Sequence, residues 1–392
     1  MTEKKVTGLN TAAIMALSLI GMGFTVVTPA MAIFAEHYAG KDTTWISTLP
    51  TLFIVIGTVT AGAVMGKVIK YRTLAIIACL LYVVGGCAPG MFDNYAGMLV
   101  CRAIFGLGAG LMSPLGTALV ILTYKDQKRA KILGYRTLFS NGGGIIMQML
   151  GGALAVISWQ YVFWGHAFGL IGLAMAFFLP EPEISQAAQE KTKEARPKKK
   201  EKMNKVVWLI AAILIIFNVL NYPVMLNISS LFVQRDAGNA AVAATALSMY
   251  TVAGCVAGFV FGFIFKHLQR WVIAIGFFLC ALGAFLIYSG QTTIVMTLGM
   301  ALIGFGFSTI LPASFSWVGK ATPPSTVATA TSICVAATNL GGFVSSFWLK
   351  FLNAVFGENM LSGLTIEIIV LVIIGVVFLA YDPYKDRKTA AA

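Results

Sequence analysis

Ionisable side chains inside long apolar runs are the first candidates for chemistry in this chain. A charge in hydrocarbon is expensive, so it is either paired or put to use. Four such groups stand out: Arg102, Arg136, His166 and Glu367. Arg102 has Gly106, Gly110, Ser113 and Thr117 on its own face at helical spacing. A small, polar stripe beneath an arginine suits the wall of an aqueous cavity that draws in an anionic or neutral solute. The other reading is an arginine clamped to backbone carbonyls. Arg136 stands near the end of its run, close enough to snorkel. His166 and Glu367 each lie about two turns (~11 Å) from a run's end, where satisfied structural groups are expected.

Neutral polar residues extend this set. Asn218, Asn221 and Tyr222 share one face with Met225 a turn further on, Asn141 aligns with Gln148, and Asn339, Thr25 and Thr28 stand in other apolar runs. Buried amides need partners, so these belong between helices, as interhelical glue or as cavity lining. Glu36 and His37 cap the end of the first run, where they could serve an outer gate.

Enzyme constellations are missing. The chain has no Gly-x-Ser-x-Gly elbow and no GxxxxGK[ST] phosphate loop, and His37, His166 and His267 are widely separated. Gly106-Leu-Gly-Ala-Gly looks superficially like a dinucleotide loop but sits inside an apolar run, where small residues let helices approach closely. Gly254, Gly258 and Gly262 at four-residue spacing read the same way. The six cysteines lie in apolar runs without a CxxC pair, as packing residues and not metal ligands or disulfides. No cofactor, metal or enzymatic activity is expected.

The elements that must position these groups are membrane helices. Of 392 residues, 58% are apolar and 11% charged, too little polar surface for a water-soluble protein of this size. Trp271 to Gly319 contains no charged residue, far beyond the ~20 residues that cross a bilayer. Ser289-Gly290-Gln291-Thr292 breaks it into two spans. The same reading gives spans at 9–35, 45–66, 73–91, 95–123, 132–157 and 160–179, then 206–232, 241–265, 271–289, 293–318, 326–349 and 360–381. These runs are continuous and too long for barrel strands of alternating polarity. The first is longer than a signal-peptide core and reads as a retained helix despite Ala30-Met31-Ala32.

A net charge of +13 would suggest nucleic acid in a soluble protein, but its distribution gives another meaning. With the N-terminus inside, 23 of 28 Lys and Arg residues fall on the cytoplasmic side and only Lys41, Arg235 and Lys350 outside. That asymmetry orients both termini to the cytoplasm and removes the nucleic-acid reading. The basic cluster ending in Arg196-Pro-Lys-Lys-Lys-Glu-Lys belongs to a cytoplasmic linker, 181–205, between bundles at 1–180 and 206–381, with a tail at 382–392.

The two halves repeat. Gly106-x-Gly108 with Pro114 recurs 198 residues on as Gly304-x-Gly306 with Pro312, and Asn141, Gly143 and Gly144 as Asn339, Gly341 and Gly342. Gly62-x3-Gly66 with Lys70 recurs 196 residues on as Gly258-x3-Gly262 with Lys266. Three matches in order at nearly one displacement indicate a duplication. Pro29, Pro114, Pro223 and Pro312, in spans 1, 4, 7 and 10, predict bends there.

Two parallel halves of six helices resemble the major facilitator superfamily. Gly62 to Arg72 is similar to that family's loop signature Gly-x-x-x-Asp-Arg-x-Gly-Arg-Lys, Arg102 to Gly110 resembles its Arg-x-x-Gln-Gly-x-Gly motif, and Trp159 to Trp164 its Trp-Arg-Trp-x-Phe segment. The signature's Asp is Gly66 here, and Gly262 in the second copy. Met147-Gln148 replaces the Gly-Pro pair of many antiporters. The resemblance implies an all-α membrane protein, with 12 transmembrane helices in two pseudo-symmetric six-helix bundles, the major facilitator fold. It implies a gate from Gly62, Gly66, Lys67, Lys70 and Arg72, with Asp126 replacing the missing carboxylate, and a central cavity lined by spans 1, 4, 7 and 10. Arg102, Thr25, Thr28, Ser113, Asn218, Asn221, Tyr222, Asn141 and Asn339 would then bind a small-molecule substrate. The expected protein is a monomeric secondary transporter in the lipid bilayer of the cell membrane, moving an organic solute by alternating access. Efflux coupled to protons or another ion leads; uptake or exchange of an organic anion is the alternative, and a non-transporting receptor or scaffold is the reading from another class.

Overall fold

The computed structural model describes residues 8–66, 68–124, 126–181, 203–322, 327–357 and 360–381. Lys67, most of the expected linker, the expected tail and the side chain of Asp126 lie outside the described residues. Among the described residues the regular structure is helical, apart from one isolated bridge between Met65 and Ile69.

The chain divides into two compact units, Met1–Gln189 and Glu190–Ala392. In the first unit the helices are α1 (Gly8–Ile20), α2 (Met31–His37), α3 (Trp45–Val64), α4 (Tyr71–Cys87), α5 (Tyr95–Thr123), α6 (Asp126–Ile157), α7 (Trp159–Trp164) and α8 (Gly169–Ala176). In the second they are α9 (Lys205–Gln234), α10 (Ala240–Leu268), α11 (Val272–Ser289), α12 (Thr293–Ala321), α13 (Val327–Phe356) and α14 (Met360–Ala380). Short polar side chains start several of them. Asn94 accepts a hydrogen bond from Gly97 N at 2.9 Å before α5, and Asn239 accepts from Ala241 N and Val242 N before α10.

Nine described segments are long and apolar enough to cross a membrane, one of them Ala240–Ser289, which bends at Gln269 (φ 24°) between α10 and α11. The expected sixth and eleventh spans are not among these nine. The sixth is broken into α7, a 3-10 turn at Gly165–Phe168, and α8. The eleventh lies in the continuous helix α13, part of which falls outside the residues searched for such segments.

The first span is also not the single helix expected over 9–35. It runs as α1, a 3-10 stretch at Gly23–Ala30, and α2. Three local causes coincide. Pro29 has no N–H to give. Thr25 Oγ1 donates to Met22 O at 2.8 Å, a side-chain alternative to the regular ladder. The Cα atoms of Gly143 and Gly151 in α6 abut the carbonyls of Leu19, before the break, and of Val26, within it. Pro114, Pro223 and Pro312, by contrast, lie within α5, α9 and α12, whose helical assignment continues past them.

The repeat found in the sequence is also a repeat of contacts within each unit. A methyl group at Gly108 would meet Ala78 O at 2.7 Å, and one at Gly306 would meet Gly276 O at 2.6 Å. Gly85 faces Cys101 O and Phe105, whereas Gly283 faces Gly299 O and Ile303. Gly143 lies on Leu19, and Gly341 on Ile215 and Asn218. Glycine 108, 85 and 143 each reappear 198 residues later on the corresponding helix, against corresponding backbone. Backbone-to-backbone packing at glycine is how helices associate in lipid, where apolar side chains gain little from one another. Gly254 packs against the Ser308 side chain, but Gly258 and Gly262 pack against nothing. They are exposed with nothing within 4 Å, so the expected packing stripe stops after its first member.

Candidate functional site

Arg102 occupies the interior of the first unit, with no exposed surface. Its Nε donates to Ile46 O of α3 at 2.8 Å, its Nη1 donates to His166 Nε2 at 3.2 Å, and the guanidinium lies 4.4 Å from the Phe105 ring centre. A guanidinium can only donate, so His166 accepts at Nε2 and carries its proton on Nδ1, which donates to Phe163 O at 3.0 Å. The ring is thereby held neutral in one tautomer, edge-on to Phe105. His166 is the satisfied structural group expected of it, but its being the partner of Arg102 was not foreseen.

The stripe below Arg102 corrects the expectation of a cavity wall. Methyl groups at Gly106 and Gly110 would run into Pro50 and Ile54 of α3, so that face of α5 is a closed seam. Ser113 is exposed, and Thr117 accepts from Arg136 Nη1 at 2.6 Å. Arg136 Nη2 also donates to Ser113 O at 3.1 Å. Arg136 therefore ties α6 to α5 and fills the space beside Gly116, where a snorkelling side chain was expected. Of the two readings of Arg102, the bonds supply the clamp.

The neutral polar groups separate by unit. In the first, Thr25 and Thr28 are buried in the 3-10 stretch, and Thr25 Oγ1 also reaches Gly144 O at 3.4 Å on α6. Asn141, one turn before Gly144, is half-buried, and Gln148 is buried. In the second, Asn218 and Asn221 are buried on α9, and Tyr222 is half-buried. Asn218 Nδ2 donates to its own helix at Leu214 O, 2.8 Å away. Asn221 lies beside the Tyr250 hydroxyl of α10, while its Oδ1 is buried with no hydrogen-bond partner. Gly341 and Gly342 of α13 pack on Asn218 and on the Tyr222 ring, and Asn339 donates to Val335 O in the turn before them. The α9–α13 seam thus includes Asn218 and Tyr222, with Asn221 on the α10 side and Asn339 bonded within its own helix.

The expected gate residues have different surroundings. Gly66 is in the left-handed region (φ 71°), and its N–H bonds Ile69 O at 2.9 Å. Glycine adopts this turn freely, which gives a local reason for glycine where the family signature has Asp. Gly62 is exposed with nothing within 4 Å, and Lys70 is exposed. Arg72 is engaged: Nε and Nη2 donate to Leu179 O, at 3.2 and 2.8 Å. The Glu181 carboxylate receives the Tyr71 and Arg72 N–H groups at 2.9 and 3.0 Å, a negative charge at the N-terminus of α4.

At the other end of the first unit, His37 pairs with both Asp93 oxygens at 3.0 Å and stacks on Trp159. The hydrogen bond from His37, the largest cause, holds the Asp93 carboxyl below the usual carboxylate range. A depressed folded value means the tie is complete above the ordinary carboxylate range (about 3.9) and is lost as pH falls through the lower folded value. Once the intrinsic pH dependence of amide exchange is divided out, protection around residues 38–45 should fall on that acidification, and at neutral pH in Asp93→Asn. Equal exchange in the two proteins at neutral pH would contradict this role.

The fold and these polar interiors define a polytopic helical membrane protein of two repeated units. A family model for the Major Facilitator Superfamily matches residues 13–346 and 224–392, and the chain belongs to that family. An efflux pump of Aspergillus sp. (strain MF297-2) is 26% identical over 46% of this chain and 34% of its own length. Quinolone resistance protein NorA of Staphylococcus aureus (strain MRSA252) is 24% identical over 50% of this chain and 51% of its own. The matches therefore span between a third and a half of these relatives. Among solved structures, a D-xylose-proton symporter aligns with a TM-score of 0.73 at 17% identity, over 95% of this chain and 98% of that one. A nucleoside transporter aligns with a TM-score of 0.74 at 16% identity, over 96% and 99%. At these identities the likeness is one of fold.

Proposed function

We propose that this chain is a secondary active transporter that exports a small organic solute across the cell membrane by alternating access, driven by an ion gradient, with both termini in the cytoplasm. The observation that carries the reading is the buried, partnerless Oδ1 of Asn221, within a row of neutral polar groups on a membrane helix. An acceptor left without a donor in hydrocarbon costs about 1–3 kcal/mol, which a solute N–H or O–H would recover. Thr25, Thr28, Ser113 and Asn141 in one unit, and Asn218, Tyr222 and Asn339 in the other, are the remaining binding groups. The efflux relatives support the outward direction. Gly62, Gly66, Lys67, Lys70, Arg72 and Asp126 form the proposed gate.

Arg102 leaves the binding set, because Ile46 O and His166 already engage it. With it goes the electrostatic case for anions, so the proposed solute is neutral or zwitterionic, and a quinolone is the first probe to use. In proteoliposomes, quinolone flux should follow an imposed pH gradient, and Asn221→Ala should lower it about tenfold, the factor given by losing ~1.4 kcal/mol. Unchanged flux in a well-folded Asn221→Ala protein would remove Asn221 from the site. Gradient-independent exchange would overturn the driven exporter. An absence of flux across neutral, zwitterionic and anionic probes would favour a receptor or scaffold.

A further inference from the structure

Glu367 is the one group whose surroundings contradict the structural role its sequence position suggests. It lies seven residues into α14, about 10 Å from that helix's start, and has no exposed surface. Among the described residues neither carboxyl oxygen has a hydrogen-bond partner.

The internal repeat explains how an acid came to be enclosed there. Counting back 198 residues from Glu367 and Cys280 gives Gly169 and Tyr82. In the first unit the Tyr82 ring fills the space over Gly169, where an added methyl would come within 2.6 Å of the ring. In the second unit the large and small members are exchanged. Cys280 on α11 is small, and the long side chain is carried by position 367 instead. Cys280 from α11 and Tyr250 from α10 are the titratable groups that a charge on Glu367 would act on, and Tyr222 of α9 acts on Tyr250 as well. Among the described residues no basic side chain bonds either carboxyl oxygen. Arg235, after α9, donates to Ile287 O and Tyr288 O, Arg270 lies over the Trp271 ring, and Lys350 on α13 makes no bond to either carboxyl oxygen.

A bare carboxylate in such a place has neither donors nor a counter-charge, and its burial would cost far more than keeping a proton. A permanent structural acid, in turn, would have an acceptor for its O–H, which this one lacks. We propose that Glu367 is a proton-binding site of the transport cycle, occupied in this conformation and emptied when α9, α11 and α14 repack enough to admit water. On release the O–H bond breaks, its electron pair stays on the carboxylate, and the proton passes to that water. This rests on the transport reading for its purpose, but its test involves no solute, so failure of a flux assay and failure of the site are separate results.

Infrared spectroscopy of the purified protein in lipid nanodiscs reads the site directly. At about pH 7 ordinary carboxyls, with values near 4, are ionised. The wild type should retain a protonated-carboxyl C=O band that shifts down within hours in D2O. Glu367→Gln should lack it, and Glu367→Asp should move it without abolishing it, which covers the case in which the Gln variant folds poorly. A wild type without the band, a band that persists in Glu367→Gln, or a band that never exchanges in D2O would each overturn the proposal.

Discussion

Replacing Arg102 by alanine should unfold or severely destabilise the first unit, whatever solute is present. The substitution strips donors from two buried acceptors, Ile46 O and His166 Nε2, and leaves a void against Phe105. Unpaired buried acceptors cost about 1–3 kcal/mol each, and large-to-small changes in a closed interior about 2–5 kcal/mol, so a total loss of at least about 4 kcal/mol is expected. Arg102→Lys should recover little, because an ammonium cannot reproduce the fork that reaches a carbonyl and an imidazole together. The decisive measurement is a double-mutant cycle on thermal unfolding with His166→Ala. If the two side chains act as one clamp, they should couple by about 0.5–3 kcal/mol. Additive effects, or an Arg102→Ala protein as stable as wild type that has lost only solute affinity, would restore the cavity-wall reading.

That contrast shows where the sequence was legible and where it stopped. Helical spacing placed Arg102, Gly106 and Gly110 on one face, and they are on one face. Spacing does not say what that face meets. Pro50 and Ile46 lie about fifty residues away and His166 more than sixty, and nothing local to Arg102 encodes either contact. The break at Gly23–Ala30 was hidden for a similar reason. Pro29 signalled a bend, but Pro223 and Pro312 carry the same signal in helices that continue past them. The contact of Gly143 with Leu19 recurs as that of Gly341 with α9, so what differs is Gly151 of α6 pressed against Val26, a tertiary cause with Leu349 at the corresponding position. The position of Glu367 near a helix end suggests a satisfied group, but partners on other helices cannot be counted from its own, and among the described residues it has none. The internal repeat was the most legible feature, since a fixed displacement of small residues survives where propensity and polarity give no direction.

The repeat also carries the second large prediction, that one lesion should have the same effect in both units. Gly108 and Gly306 each touch a neighbouring helix through backbone, Ala78 O at 2.7 Å and Gly276 O at 2.6 Å from where a methyl carbon would stand. A side-chain neighbour could rotate away from that methyl, but a carbonyl in a hydrogen-bonded helix cannot, so the helices must separate along their whole contact. Overpacking of this kind costs about 1–3 kcal/mol, and more when the added group is larger than a methyl. Gly108→Ala and Gly306→Ala should therefore lower thermal stability by similar amounts, and Gly108→Val and Gly306→Val should prevent recovery of folded protein. Gly258→Ala and Gly262→Ala are the internal controls. Both positions are open, so alanine there meets nothing and gains up to about 1 kcal/mol of helix propensity. Thermal unfolding of all four alanine variants in one detergent separates the outcomes. If the controls fell as far as the seam variants, the losses would reflect membrane-helix glycines in general, and the paired contacts would not be what holds each unit together.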